Sequence, residues 1–352
     1  MELNNIILNS LLLFALFSFF INFFILKLSR GQNSILLDQD FLKPQAYHEK
    51  AVPRSGGLAA IISLSVFFLI YYFLFKEFLF DYFLASILLF ILGFLDDIKL
   101  NISPNIRLFL MIIFLFFITN FFSINLISVD LIFLNNWLSN NIFNNIFIIL
   151  CFLFIINGSN LIDGFNGLLS IHLIIINLIL LFIHLYSGNN EYLLIISAQI
   201  LVLLTFLFFN FPKAQMFLGD GGSYLFGTLT VLNIIKTNNL NPEISSFFFC
   251  VLLFYLFFEV FFSFFRKSYS KKSPLRPDKN HLHMLVYRYL VGLRKFKDCN
   301  FLTSLVINTV YSLIMMPAFY YKNSGLFCKY WFMLLIVAYL IFYSRIYSFA
   351  KK

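Results

Sequence analysis

The sequence predicts an all-α protein that crosses a membrane many times, and its composition and its long apolar runs support this. Of the 352 residues, 61% are hydrophobic and 12% are charged, whereas a soluble domain is about half apolar and a quarter charged. A spanning helix needs about 20 apolar residues. Eleven runs approach this length, at 6–27, 56–75, 78–95, 106–123, 143–162, 167–186, 192–209, 221–235, 244–265, 301–321 and 326–347. We therefore predict a single integral-membrane domain over residues 1–352.

The positive charges predict the orientation of these spans. If the N-terminus lies outside, 21 of the 25 Lys and Arg residues fall on the inner side, which matches the positive-inside bias. The C-terminus is then cytoplasmic, and ten of these cations lie in one large basic cytoplasmic loop over residues 266–300. Because topology accounts for the net charge of +9, we expect no nucleic acid as a partner.

Four carboxylates end apolar runs on the predicted cytoplasmic side. Asp96 and Asp97 follow the third run, Asp163 follows the fifth, and Asp220 precedes the eighth. Carboxylates at bilayer depth are costly and are usually functional. A solvated loop edge would explain one of them but explains the whole set poorly. We predict an active site built from cytoplasmic loops, where acidic segments hold a divalent cation and a diphosphate.

Other polar residues near these loops allow two interpretations each. Asn160 lies one helical turn before Asp163, which suits either a metal site or an amide ladder between helices. His281 and His283 lie among basic residues, which favours a polyanion over zinc because no further Cys or His lies nearby. Glu259 lies seven residues before Arg266 on one helix face, which predicts an ion pair between them. Weak alternation in the outer segment 124–142 predicts a small β-hairpin.

Five cytoplasmic segments carry a family resemblance. In chain order they read "VPRSGG", "LGFLDD", "NGSNLIDGFNGL", "FLGDGGSYLFG" and "PDKNHLHMLVYR". Together they resemble the signatures of the polyprenyl-phosphate N-acetylhexosamine-1-phosphate transferases, the MraY/WecA-like superfamily or glycosyltransferase family 4. The resemblance covers residues 45–290. The eleven-span layout resembles the WecA-like surface-polysaccharide branch more than the ten-span peptidoglycan branch.

The resemblance implies a reaction and its partners. Members transfer an N-acetylhexosamine 1-phosphate from a UDP-sugar to undecaprenyl phosphate, release UMP and require Mg²⁺. The implied product starts a lipid-linked O-antigen or capsule glycan, and the implied location is the bacterial inner membrane, in contact with membrane lipid. The sequence leaves the sugar, the polyprenol length and the oligomeric state open, with a homodimer among the states considered.

The resemblance also implies roles for individual residues. The implied catalytic residues are Asp96, Asp97, Asp163 and Asp220. The implied metal ligands are Asp220, Asp97 and Asn160. The implied substrate-binding residues are Arg54, Asn160, Asn166, Phe217, Arg276, His281 and His283. Phe217 corresponds to an aromatic residue that stacks on uracil, and the sequence does not decide whether Asp96 or Asp97 meets the acceptor phosphate.

Two positions depart from the family pattern and leave the donor open. Asn166 stands where many members have a second Asp in "DGxDG", and Met284 stands where many have another His. Alternatives that the sequence leaves open are a lipid or ion transporter, the peptidoglycan phospho-MurNAc-pentapeptide transferase, and an inactive scaffold for glycan assembly.

Overall fold

Almost all of the secondary structure in the computed structural model is helical. It describes residues 2–31, 34–39, 50–100, 102–273 and 278–350. Within these ranges the elements are α1 (Glu2–Ser29), β1 (Leu37–Asp38), β2 (Val52–Pro53), α2 (Gly56–Phe75), α3 (Phe80–Asp97), α4 (Pro104–Phe121), α5 (Ile132–Leu138), α6 (Asn141–Ile162), α7 (Leu168–Ser187), α8 (Asn190–Asn210), α9 (Gly219–Leu240), α10 (Ser246–Leu252), α11 (Phe254–Tyr269), α12 (Leu282–Gly292), α13 (Cys299–Tyr320) and α14 (Gly325–Ala350).

The helices agree with a polytopic membrane protein. Eight helices of the described chain are long and apolar enough to cross a bilayer: α1, α2, α4, α6, α7, α8, α13 and α14. Helices α10 and α11 make a ninth span if they are taken together across their 73° bend. The two other predicted spans coincide with α3, which carries three carboxylates, and α9, which begins with a Gly-rich segment. The helical membrane fold is confirmed, while the count of eleven and the orientation stay predictions.

Helix α9 lies at the centre of the bundle. Eighteen of its 22 residues are buried, and it packs against α2, α3, α6 and α7. Small residues allow this close packing: a Cβ on Gly93 of α3 would lie 2.3 Å from the Asp220 carbonyl oxygen. A Cβ on Gly227 would lie 2.9 Å from the Ile156 Cα in α6. Close backbone approach of this kind is a main source of stability between helices in lipid.

A buried polar cluster holds the end of α9 that is remote from Asp220. Asn233 accepts a hydrogen bond from the Tyr82 hydroxyl at 3.0 Å and donates one to the Gln199 side chain at 2.8 Å. One turn further along the helix, Lys236 forms an ion pair with Asp81. These contacts join α9 to α3 and α8 inside the bundle, where polar groups must find protein partners.

The predicted hairpin in segment 124–142 is wrong. The chain there contains the short helix α5, and the residues before it pair with side chains instead of a second strand. The Asn144 amide accepts from the Leu126 backbone N–H at 3.1 Å and donates to its carbonyl oxygen at 2.9 Å. Because side-chain amides supply these hydrogen bonds, the extended segment needs no partner strand.

A pair of two-residue strands, called the β1–β2 hairpin below, positions the start of α2. Strands β1 and β2 pair antiparallel, with Leu37 opposite Pro53 and Asp38 opposite Val52. The Phe217 N–H donates to the Pro53 carbonyl oxygen at 2.9 Å, and the Gly56 N–H donates to the Phe217 carbonyl oxygen at 2.9 Å. The hairpin is thereby joined to the segment that leads into α9.

Replacement of Gly93 by Ala should destabilise the bundle, because the added methyl group meets a backbone atom that no side-chain rotation can move. We expect a loss of about 1–3 kcal/mol, as is typical of overpacking. Gly292→Ala is the matched control, since its Cβ would meet only the Phe349 ring at 3.6 Å. Thermal unfolding of the purified variants in detergent provides the measurement, and equal melting temperatures for the two would contradict the close α3–α9 contact.

Candidate active site

The Asp97 carboxylate holds the N-terminus of α9. Its two oxygens accept hydrogen bonds from the backbone N–H groups of Asp220, at 3.0 Å, and Gly221, at 2.8 Å. These N–H groups have no partner within the helix, and the helix dipole favours an anion there. Gly219 has φ +79°, and a Cβ on it would lie 2.6 Å from an Asp97 oxygen. The last turn of α3 is therefore fixed against the first turn of α9.

Arg107 bridges two of the predicted catalytic carboxylates. Its Nη1 donates to Asp96 Oδ2 at 2.6 Å and to Asp220 Oδ2 at 3.1 Å. Helix α4 begins at Pro104 after Ser103, whose hydroxyl accepts a hydrogen bond from the Ile106 N–H, so Arg107 lies in the first turn. Sequence reasoning did not include Arg107 in the site, because a cation near a span end also serves topology.

Arg54 approaches the same carboxylates from the hairpin. Its Nε and Nη2 donate to Asp38 Oδ2 at 2.9 and 2.7 Å. Its Nη1 lies 3.8 Å from Asp97 Oδ1 and 3.8 Å from Asp220 Oδ1. Burial alone would lower the pKa of Arg54, but the three carboxylates together raise it above its ordinary value. Asp38, which the sequence did not single out, orients this guanidinium.

Asn160 and Asp163 reach the start of α9 from α6. The Asn160 amide donates to the Ser223 hydroxyl at 3.2 Å, and Ser223 donates to the Asp220 carbonyl oxygen at 3.1 Å. The Asp163 carboxyl group lies close enough to Asp220 and Asp97 to interact with both electrostatically. The spacing of three residues thus brings both side chains to one end of one helix.

Negative charge accumulates in this site. Burial and the neighbouring Asp220 carboxylate raise the pKa values of Asp96, Asp97 and Asp163, those of Asp97 and Asp163 well above the ordinary range. Counting Asp38, which binds Arg54, two guanidinium groups face five carboxyl groups and cannot pair with all of them as ions. A further cation would stabilise the ionised forms, because an opposite charge nearby favours the charged state of an acid.

The sequence resemblance predicts Mg²⁺ at this site. The described residues contain no group of three or more His, Cys, Asp or Glu side chains that could hold a metal. Mg²⁺ is usually bound by one or two carboxylates together with substrate phosphates. The predicted ligands of such a site are Asp220, Asp97 and Asn160, and both Asp97 oxygens also accept backbone N–H groups of α9. The metal role of these residues remains a prediction.

The two histidines lie in a separate, buried cluster. His281 Nδ1 is 3.3 Å from Glu259 Oε2, and His281 Nε2 is 3.2 Å from Asp278 Oδ1. The predicted ion pair between Glu259 and Arg266 is wrong, because Arg266 binds Asp278 instead, at 2.6 and 3.2 Å. The spacing along α11 places Glu259 and Arg266 on one helix face. The loop after α11 supplies a closer partner for each, His281 for Glu259 and Asp278 for Arg266. Arg276 lies outside the described residues.

The remaining predicted substrate residues border the site. The Asn166 side chain donates to the Pro212 carbonyl oxygen at 2.9 Å, so its amide is already engaged. Phe217 is half-buried, three residues before Asp220. His283 packs edge-on against Phe165, with ring centroids 5.7 Å apart. Six of the predicted site residues meet around the start of α9: Arg54, Asp96, Asp97, Asn160, Asp163 and Asp220.

Comparison with known proteins shows the family. A model described as "Glycosyl transferase family 4" matches residues 79–238. An undecaprenyl-phosphate α-N-acetylglucosaminyl 1-phosphate transferase of Thermotoga maritima is 28% identical over 243 residues, 68% of this chain and 70% of that protein. A probable undecaprenyl-phosphate N-acetylglucosaminyl 1-phosphate transferase of Bacillus subtilis is 26% identical, over 85% of this chain and 80% of that protein.

A third relative is a different kind of phospho-sugar transferase. The phospho-N-acetylmuramoyl-pentapeptide-transferase of Dictyoglomus turgidum is 30% identical over 245 residues, 65% of this chain and 76% of that protein. Both kinds of relative are phospho-sugar transferases, and residues 79–238, which the family model matches, contain the carboxylates that meet at α9. The chain therefore belongs to glycosyl transferase family 4, the MraY/WecA-like superfamily of membrane phospho-sugar transferases.

Proposed function

We propose that this protein transfers an N-acetylhexosamine 1-phosphate from a UDP-sugar to undecaprenyl phosphate, releases UMP and starts a lipid-linked surface glycan. The convergence of four carboxylates and two guanidiniums at the start of α9 supports this most directly. Such a cluster can bind a diphosphate together with a divalent cation. A bacterial inner membrane would provide the lipid acceptor.

The chemistry needs binding and charge neutralisation more than proton transfer. A phosphate oxygen of the acceptor forms a bond to the β-phosphorus of the donor, and the bond from that phosphorus to the bridging oxygen breaks. The electron pair of the broken bond leaves with UMP. A phosphate monoester has a second pKa of about 6, so the acceptor needs no base at neutral pH. Asp96 can nevertheless take a remaining proton, because burial and Asp220 raise its pKa.

The charged side chains have distinct tasks in this reaction. Arg54 and Arg107 would hold phosphate oxygens, since guanidinium groups suit phosphate geometry. Asp220, with Asp97 and Asn160, would hold Mg²⁺, which offsets the charge of the donor diphosphate. Asp38 keeps the Arg54 guanidinium in place, and Asp97 keeps the first turn of α9 beside α3.

The eleven-span topology belongs to the same proposal. Helix α9 is buried on all sides, so it can cross the bilayer without the hydropathy of a lipid-facing helix. Helix α3 makes extensive contacts with α9, and its paired carboxylates lie beyond the predicted apolar run 78–95. With the N-terminus outside, all four carboxylates face the cytoplasm, where UDP-sugars are found.

The peptidoglycan phospho-MurNAc-pentapeptide transferase is the second candidate. The relative from Dictyoglomus turgidum favours it. The predicted eleven-span layout favours the surface-glycan branch instead. Mass spectrometry of the lipid product, made by the purified protein from a panel of UDP-sugars including UDP-MurNAc-pentapeptide, distinguishes the two. A transporter would release no UMP.

Asp220→Asn should abolish transfer while the protein remains folded, because the change removes the carboxylate that Arg107 and Arg54 both approach. We expect UMP release to fall by at least about 100-fold, as when a key electrostatic group is removed. Asp298→Asn is the control, since this Asp is exposed and lies 3.8 Å from an exposed Lys213. UMP release at limiting Mg²⁺ is the measurement, and near-normal turnover by Asp220→Asn would remove Asp220 from the proposed metal site.

Introduced cysteines should test the orientation in sealed vesicles. In a parent whose four cysteines are replaced by Ser, Ser273→Cys should react with an impermeant thiol reagent only from the cytoplasmic side. Asn189→Cys should react only from the outside, because the positive-inside rule places it opposite the basic loop. Labelling of both positions from one side would show that the span order is wrong.

Phe217→Ala should weaken donor binding more than Asn166→Ala. Stacking on a base is worth about 1–3 kcal/mol, whereas one neutral hydrogen bond is worth about 0.5–1.5 kcal/mol. Asn166→Asp should retain activity. The measurements are donor KM and inhibition by UMP for the three variants. Unchanged values for Phe217→Ala would mean that the aromatic ring only packs and that the nucleotide binds elsewhere.

A further inference from the structure

His281 lies between two carboxylates inside the protein. Its Nδ1 is 3.3 Å from Glu259 Oε2 and its Nε2 is 3.2 Å from Asp278 Oδ1. The His281 and Glu259 side chains are each 1% exposed. Each ring nitrogen therefore has a carboxylate oxygen within about 3.3 Å. Both nitrogens are engaged by protein groups, which leaves no ring atom for a substrate.

The two carboxylates are themselves held by other elements. Arg266 of α11 donates to both oxygens of Asp278, at 2.6 and 3.2 Å. Burial alone would raise the pKa of Asp278, but Arg266 and His281 lower it below its ordinary value. The Glu259 carboxylate also accepts from the Tyr339 hydroxyl of α14, at 2.9 Å. These contacts therefore form a continuous path between α11 and the loop before α12.

This path ends at the first backbone N–H of α12. Glu259 Oε1 accepts a hydrogen bond from the Leu282 N–H at 3.1 Å. The Tyr343 hydroxyl of α14 donates to the Asn280 carbonyl oxygen at 2.9 Å, just before that helix. Because a carboxylate at a helix N-terminus is favourable, Glu259 fixes where α12 begins relative to α11 and α14.

Helix α12 in turn contacts the loop that carries Asp163. His283 Nδ1 lies 3.3 Å from the Tyr255 hydroxyl, and its ring packs edge-on against Phe165. Its Nε2 is buried and has no hydrogen-bond partner among the described residues. Phe165 lies two residues after Asp163 and directly before Asn166. A shift of α12 would therefore reach the 163–167 loop through His283.

We propose that Glu259, His281, Asp278 and Arg266 form a buried ionic strut that positions α12, and that the strut acts on the reaction through His283 and the 163–167 loop. His281 is then a positioning residue and does not bind the donor. The effect on the reaction rests on the proposed function, whereas the positioning of α12 does not. Removal of one member leaves a buried charge without its partner, which is strongly unfavourable.

Thermal unfolding tests the strut without any substrate. Glu259→Gln and His281→Gln should each lower the melting temperature, and the double variant should lower it by clearly less than the two shifts added together. Glu243→Gln, at an exposed position outside the strut, should leave the melting temperature unchanged. If Glu259→Gln does not fold, a double-mutant cycle of Asp278→Asn and His281→Gln tests the neighbouring contact in the same way. Additive shifts in the cycle would overturn the strut.

A second cycle tests the path to the site. Glu259→Gln and His283→Asn should each raise donor KM more than they lower kcat. The double variant should match His283→Asn alone within about twofold, because coupled residues are not additive. Calorimetric binding of UMP gives the same cycle without turnover. Effects that multiply across the double variant would overturn the action through His283.

The outcomes separate this inference from the proposed function. If the wild-type protein releases no UMP from any UDP-sugar, the proposed function fails, and the unfolding cycle still decides the strut. If UMP is released and His281→Gln abolishes donor binding while the unfolding cycle is additive, His281 binds the donor directly and the strut is wrong.

Discussion

The site depends on the contact between the Asp97 carboxylate and the first N–H groups of α9. This contact satisfies backbone donors that the helix cannot satisfy itself, and it brings the ends of α3 and α9 together. Asp96 and Asp220 become neighbours as a result, and Arg107 can bridge them. The close α3–α9 packing around Gly93 keeps this geometry, since the backbone there leaves no room for a side chain.

The same contact helps to crowd carboxyl groups together in the cluster. Asp97 is buried where it holds the N-terminus of α9, and Asp220 lies within that first turn. Burial and like charge together raise the pKa values of Asp97 and Asp163. Substrate phosphates would add still more negative charge, so two guanidiniums are too few and a divalent cation is the reasonable complement. Structural and chemical roles are therefore combined in the same side chains.

The histidine cluster connects α11 and α14 to the start of α12 through buried contacts. His281 resembles a substrate ligand in the sequence, yet its ring is engaged on both sides by protein carboxylates. His283, two residues further, is the side chain that touches the loop of Asp163 and Asn166 through Phe165. Within residues 278–292, His281 and His283 therefore contact protein groups on both sides of α12's first turn.

The sequence by itself determined the membrane class, the approximate helix positions and the acidic loops, because hydropathy, span length and costly carboxylates are local properties. It did not find Asp38 or Arg107, whose roles arise from contacts with residues distant in the chain, such as Arg54 and Asp220. Two predictions from the sequence were wrong. The hairpin over 124–142 does not form, because the Asn144 side chain pairs with the extended backbone there, and Arg266 pairs with Asp278 instead of Glu259. Spacing along a helix tells which side chains share a face, but only the tertiary structure decides which partner is nearest.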